Sequence, residues 1–570
     1  MVLRVVLCVA VCMCAFVTAH DYKHRETSPA PDKTEAAPSN ATRYPIAFAT
    51  GRYMGIYMQT RRGRRFEAYR GMYYADPPTD SLRFKPPILR KPEPDIYDAR
   101  MEGPACPLPV PPTYYVHESC LRVNVYTPNS NRTKLLPVIF YIHPGGFYSM
   151  TGRSDLVGPQ YLLDKDVVLV TINYRLGSLG WISTGDEYAP GNLGLKDQVV
   201  ALKWVQLNIA GFGGDPKSVT IAGCSAGSIS VMLHMISPMS KGLFHRAISM
   251  SGSPVNKGPM LHHQRDLAIK QAEILNCPTN TTAAMFDCFK QKSWRDFGDS
   301  LTKFFVPGSN DPVGLWGPVV ELDFGQERFL DIQPLDAIKQ GKMHEVPYMI
   351  SQTTDEFYWL AFAILRNQTL MDMMNNDWER IAPRFFLLPD ENSTVAARRL
   401  REVYFNNKKL ENNTESLRGL QHLYRDSIIS FSVHRLANLM CRHSKQPVYY
   451  AEFAYIGNSS YYEDPNGKPL GASHHDDTLY EFQQSYNFPT IEPNSPDSHV
   501  VDEMTALWYN FARYGDPNPR RDTPELGCLN WPPMKPNKRK YLRVGDQLTV
   551  KQNMFEDRYG VWEELYPIDY

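Results

Sequence analysis

The chain has 570 residues, 43% of them hydrophobic and 12% aromatic, enough for a large buried core. Its 61 basic and 61 acidic residues cancel, so nothing in the charge balance favours nucleic acid as a partner.

Residues 1 to 19 read as a secretory leader: Arg4 supplies the charge, Val5 to Val17 the apolar run, and Val17-Thr18-Ala19 the small-residue cleavage site. The run is well short of the ~20 residues that span a bilayer, and no later segment is apolar enough, so no membrane span is expected. The last residues, Glu564 to Tyr570, form neither a hydrophobic lipid-anchor tail nor an ER-retention tetrapeptide. Secretion to the extracellular space is the expected route. The N-x-S/T sequons at Asn40, Asn131, Asn280, Asn367, Asn392, Asn412 and Asn458 agree with it. Residues 20 to 43 are polar and without apolar periodicity, the composition of a flexible tail. No linker or fixed-period repeat follows, so residues 44 to 570 are expected to form one catalytic domain.

The first half then alternates. Leu136 to His143, Asp166 to Asn173 and Ser218 to Ala222 are short, nearly continuous apolar runs, as expected for central strands covered on both faces. Between the last two, Leu195, Val199, Leu202 and Val205 recur at helical spacing up to Asn208. This order predicts right-handed crossovers and a central, mostly parallel twisted sheet flanked by helices, an α/β fold. From about residue 260 to 460 the pattern turns helical: Leu370, Met374, Trp378 and Ile381 share one spacing, and a longer helix is predicted from Leu417 to Met440. Val346 to Ser351 and Pro447 to Glu452 read as later sheet strands, with the helical stretches as insertions walling a site.

The third apolar run leads into Gly223-Cys224-Ser225-Ala226-Gly227 and a helix-like segment. A strand-to-helix turn that tight has no room for side chains beside the serine, so glycines at both ends let it close and leave the Ser225 hydroxyl exposed, as in a nucleophile elbow. A serine is a weak nucleophile at neutral pH and needs a base, normally histidine, which needs an acid to hold its tautomer. The oxyanion formed on attack needs N–H donors, and His143-Pro-Gly-Gly-Phe147 ends a strand upstream, so the amides of Gly145, Gly146 and Ala226 are the expected donors. By residue type alone, Asp355 and Glu356 also suit the first turn of a helix. His474-His-Asp-Asp477 also reads as a metal cluster, but no second ligand set with zinc spacing accompanies it, and no metal is expected.

Three of the ten cysteines, Cys8, Cys12 and Cys14, fall in the leader. Cys106 with Cys120 and Cys277 with Cys288 would close short loops worth about 3 kcal/mol each in the chain-entropy model, although six cysteines allow 15 connectivities. Cys224 is the odd one out, expected as a free, buried thiol without a chemical role.

These stretches, with Asn173-Tyr-Arg-Leu176, Gly191-Asn-Leu-Gly-Leu-Lys-Asp-Gln198, Ser251-Gly-Ser-Pro254, Ala75-Asp-Pro-Pro-Thr-Asp-Ser-Leu-Arg-Phe-Lys-Pro-Pro87 and Glu118-Ser-Cys-Leu121, resemble the type-B carboxylesterase and cholinesterase family, in family order from Ala47 to Tyr559. The resemblance implies an α/β-hydrolase fold, hydrolysis of carboxylic esters and no cofactor. It selects Glu356 as the acid, with Asp355 as fallback, and His474 in Gly471-Ala-Ser-His474 as the base ahead of His475. It also implies Cys441 with Cys528 as a third disulfide. Three departures stand out. Cys224 sits where a glutamate is common, and Pro144 replaces the first glycine of the oxyanion loop at the cost of one N–H. Phe357 follows the acid where the family usually has glycine, and threatens to crowd that loop. The implied enzyme is a secreted serine esterase acting on a small-molecule or lipid-like ester. Inactive adhesion proteins on the same fold are the rival, but they typically lose a triad member, and all three are present here. Choline specificity is disfavoured, because no tryptophan lies between Cys106 and Cys120, leaving only Tyr114 and Tyr115 as substitutes.

Overall fold

The computed structural model describes residues 44–109, 113–128, 132–304, 315–463 and 467–570. The leader, the tail, Asn40 and Asn131 lie outside the described residues.

One large sheet organises the chain. Its strands are β1 (Ile56–Gln59), β2 (Arg65–Tyr73), β3 (Arg122–Thr127), β4 (Leu136–Ile142), β5 (Val168–Ile172), β6 (Gly214–Cys224), β7 (Arg246–Met250), β8 (Tyr348–Thr353), β9 (Val448–Phe453), β10 (Lys540–Val544) and β11 (Leu548–Gln552). They lie in the order β11-β10-β9-β8-β7-β6-β4-β5-β3-β2-β1. From β10 across to β5 every pairing is parallel, and antiparallel strands close both edges. A small separate sheet of Ile46–Phe48, Arg52–Met54 and Ile96–Asp98 lies outside it.

Both β4 and β5 are buried at every position, which explains their unbroken apolar sequences. Successive side chains point to opposite faces. Val138, Phe140 and Ile142 therefore join a core with helix α1 (Leu193–Asn208) and helix α2 (Ala226–Ile236), while Ile139 and Tyr141 join a second core. The anticipated helical stripe Leu195, Val199, Leu202 and Val205 is fully buried in the first core.

The helical insertions differ from expectation in detail. Leu370, Met374, Trp378 and Ile381 are all buried but belong to two helices, α3 (Gln368–Asn376) and α4 (Trp378–Phe385), because the chain leaves helical geometry at Asp377. The predicted long helix is α5 (Thr414–Arg425) and α6 (Phe431–His443), joined by one π-helical turn, Asp426–Ser430. A further helix, α7 (Ser498–Tyr514), covers the second core, with Val500, Leu507, Trp508 and Phe511 packed into it. No helix of the described residues is long and apolar enough to cross a membrane.

Two disulfides are formed, Cys106–Cys120 and Cys277–Cys288. The expected Cys441–Cys528 bridge is not. Cys441 Sγ is turned back onto its own helix, donating to the Asn438 carbonyl at 3.3 Å, and Cys528 is exposed after the helical turn Pro524–Leu526. Cys224 is a free, fully buried thiol.

Candidate active site

Ser225 is the single residue between the end of β6 and the start of α2, with φ 54° and ψ −118°. A non-glycine residue held there stores roughly 1–3 kcal/mol of strain, so the surroundings must fix it. They do so through its N–H, which donates to the Met250 carbonyl of β7 at 2.8 Å. The flanking glycines are required by close approach: a Cβ on Gly227 would lie 2.1 Å from the Ile142 carbonyl oxygen, and one on Gly223 2.5 Å from Gly227.

The acid and the histidine lie on loops beyond β8 and β9, at the same carboxyl end of these parallel strands as the serine. His474 Nε2 lies 3.0 Å from Ser225 Oγ, and His474 Nδ1 lies 2.5 Å from Glu356 Oε2. The other oxygen of Glu356, Oε1, accepts the Thr353 N–H at 2.9 Å. Burial pushes this fully enclosed carboxyl up, but the His474 imidazole and the hydrogen bonds outweigh it, so its pKa falls below the usual carboxylate range. Asp355, the fallback acid, is turned elsewhere. Its Oδ2 accepts the Ala472 N–H at 3.2 Å, and its own N–H donates to the Ala472 carbonyl at 3.0 Å, so it ties the acid loop to the histidine loop. This contact explains Gly471, whose Cβ would lie 2.6 Å from Asp355 Oδ2.

The rest of the His474-His-Asp-Asp477 stretch also has internal roles. Asp476 accepts from the Ser460 hydroxyl at 2.6 Å and from the Tyr461 and Ser473 N–H groups at 2.7 and 2.8 Å, which braces the loop. His475 is buried, with its ring 4.1 Å from that of His474; burial, and then His474 itself, hold its pKa well below the usual histidine value. Phe357 does crowd the acid loop, but constructively: it is 4% exposed, adopts φ 53°, and sets its ring 4.4 Å from the His474 ring.

Gly145 (φ 112°) and Gly146 (φ 56°) follow β4 and border the same cavity as Ser225 and Ala226. That cavity has a volume of about 1030 Å³ and mostly apolar walls, among them Leu108, Phe147, Trp316, Trp359 and Ile429. Tyr114 reaches it from the Cys106–Cys120 loop, donating to Asp155 Oδ2 at 3.1 Å, whereas Tyr115 is exposed. Next to Ser225, burial, followed by the charges of Asp477, Glu356 and Glu481, raises the Cys224 thiol far above the usual range, so it remains protonated.

One wall residue escaped the sequence reading. Lys257 lines the cavity, and its ammonium donates to the carbonyls of Phe386 and Ser427 at 3.0 and 2.7 Å and to the Ser427 hydroxyl at 3.0 Å, fastening the π-helical turn to the loop after α4. Burial lowers its pKa to about 7. An isolated lysine outside any motif carries no sequence signal for such a role.

Comparison with known proteins identifies the family and the fold. The model of the carboxylesterase family matches residues 43–562. The chain is 33% identical over 528 residues to a juvenile hormone esterase of Tribolium castaneum, covering 88% of each. It is 37% identical over 490 residues to esterase FE4 of Myzus persicae, covering 82% of this chain and 84% of that protein. Among solved structures, juvenile hormone esterase from Manduca sexta with OTFP covalently attached matches with a TM-score of 0.79, at 27% identity, over 92% of this chain and all of that one.

Proposed function

The chain belongs to the carboxylesterase family and is an ester-hydrolysing enzyme, and from that premise we propose that it works through an acyl intermediate on Ser225. The observation that carries this reading is the hydrogen-bonded series Ser225 Oγ, His474 Nε2, His474 Nδ1 and Glu356 Oε2, of which Ser225 and His474 line the apolar cavity. His474 accepts the Ser225 proton as Oγ attacks the ester carbonyl, and the ionised Glu356 holds the tautomer that leaves Nε2 free to do so. The amides of Gly145, Gly146 and Ala226 receive the oxyanion, each worth about 2.7–4 kcal/mol in the transition state. The imidazolium then protonates the departing alcohol, and water, deprotonated by the same nitrogen, releases the acid.

The mainly apolar walls support a lipid-like ester as substrate. Juvenile hormone, named for two of the relatives, belongs on the substrate panel. Export and glycosylation are part of the same proposal. Two disulfides suit an oxidising compartment, and Asn280, Asn392, Asn412 and Asn458 are exposed while Asn367 is half-buried. The test is stoichiometric labelling by an organophosphate together with a panel of esters of graded chain length. Wild type should bind one label per chain and Ser225→Ala none; hydrolysis persisting in Ser225→Ala would refute the assignment.

A further inference from the structure

Phe357 occupies a left-handed backbone position, φ 53°, where a bulky side chain is disfavoured and a glycine would be at ease. Something in the surroundings must hold it there. Its ring is buried 4.4 Å from the His474 ring at an interplanar angle of 34°, and 4.9 Å from the Trp359 ring. The hydrogen bonds of His474, one at each ring nitrogen, leave the imidazole free to rock about the line joining those two atoms. Two rings restrain that motion: His475, its chain neighbour, at 4.1 Å and 35°, and Phe357, reaching in from the acid loop, at 4.4 Å and 34°.

We propose that Phe357 is a positioning residue for His474: its ring fixes the imidazole against rocking and stabilises the imidazolium formed when Ser225 gives up its proton. The inference rests on the acyl-serine reading above. The proton moves from Ser225 Oγ to His474 Nε2 and on to the leaving oxygen; Phe357 neither gives nor takes one. An aromatic face within about 6 Å of a cation attracts it, most strongly where water is excluded, and His474 is only 3% exposed. The other groups facing the imidazole are Glu356 at Nδ1 and His475, neutral through burial. Asp476, which braces the histidine loop and which burial pushes up to about 7, and Cys224, Asp477 and Glu481 are also buried. Phe357→Leu leaves the identity of every one of these groups unchanged and keeps most of the space beside the imidazole filled, whereas Phe357→Gly opens it to the cavity.

The experiment compares Phe357→Leu, which keeps volume without an aromatic face, Phe357→Gly, which removes the ring and relieves the left-handed backbone, and Phe357→Tyr, which keeps the face. Each is assayed for kcat, KM and the pH dependence of kcat/KM. In Leu the acid limb should move down by roughly 0.5–1.5 pH units, the span from a partly exposed to a desolvated cation–π contact, and in Gly by less, because water admitted beside the imidazole opposes the shift. In both, kcat should fall about 3- to 30-fold with KM changing less, while Tyr stays within about twofold of wild type on both measures. Should Leu fail to fold, Phe357→Met, which also fills the space without an aromatic face, carries the same test. An acid limb that stays put in Leu or Met, or a Tyr variant no better than Leu, overturns the proposal. Organophosphate labelling separates the two levels. If wild type takes up no label, the acyl-serine reading falls and this inference with it; if wild type and variants label equally but the limb does not move, only the role of Phe357 falls.

Discussion

Replacing Glu356 by Gln tests the hydrogen-bonded series at its most constrained point. In the wild type Oε1 accepts the Thr353 N–H at 2.9 Å, while Oε2 faces His474 Nδ1. A glutamine must turn its carbonyl oxygen to the Thr353 N–H, since the alternative sets two donors against each other in a buried site. Its NH₂ group then faces Nδ1, which becomes an acceptor, and the imidazole proton moves to Nε2. In that tautomer His474 cannot take the Ser225 proton. The lost charge adds to this: two opposite charges ~4 Å apart at an effective dielectric near 20 attract by about 4 kcal/mol. That alone is worth a factor of about 10³ in rate. The variant should therefore show kcat/KM on a soluble ester at least about 10³-fold below wild type, with a similarly slowed rate of organophosphate labelling and little change in melting temperature. A Glu356→Gln enzyme retaining more than about a tenth of wild-type kcat/KM would refute the reasoning, and would point to another acid.

Ser225→Ala and His474→Ala should each abolish hydrolysis while secretion and melting temperature stay near wild type; His475→Ala should cost far less activity, and the opposite ranking would mean that the histidines are misassigned. Gly227→Ala should lower the melting temperature and the secreted yield, because its Cβ would sit 2.1 Å from the Ile142 carbonyl oxygen; wild-type stability would show that the elbow relaxes. Non-reducing peptide mapping should link Cys106 to Cys120 and Cys277 to Cys288, with Cys528 alkylated in the native protein and Cys224 only after denaturation; a Cys441–Cys528 peptide would contradict the fold. Burial, and then Asp477, raise the pKa of Glu481, so the folded state holds its proton more tightly than the unfolded chain and loses stability as pH rises above the unfolded value of about 4.3. Glu481→Gln should therefore be stabilising near neutral pH and lose that advantage in acid, as followed by denaturant melts across pH.

The parallel centre of the sheet was legible because β4, β5 and β6 are covered on both faces and spell that out in uninterrupted apolar runs. The edge strands β1 to β3 and β10 to β11 carried no such signal. Most of them mix charged and apolar residues, as in Arg65 to Tyr73, β1 has only four residues, and β2 is irregular between Tyr69 and Met72. Helical spacing found the buried residues of α3 and α4 but not the break at Asp377, since the apolar period runs on across it. The serine was readable from local sterics, because the glycines that permit its turn are its chain neighbours. Its acid and base were not. Glu356 and His474 owe their positions to loops joined through Asp355 and Ala472, and only resemblance to a family ordered them from sequence. The Cys441–Cys528 expectation failed for a related reason: the pairing depended on that resemblance, and nothing local to either cysteine spoke for or against it.

The hydrogen bond between Ser225 and His474 joins residues 249 positions apart, and that between His474 and Glu356 residues 118 apart. Contacts so distant in sequence close late, after the loops between them have given up their freedom. During synthesis the serine and its elbow leave the ribosome long before the histidine that would activate them, so a nascent or truncated chain carries an inert hydroxyl. On the acyl-serine reading proposed above, hydrolysis begins only when the chain is nearly finished and its distant loops have docked. For an enzyme exported as proposed, past membranes rich in ester-linked lipids, this order of events would keep the unfinished chain inert until then.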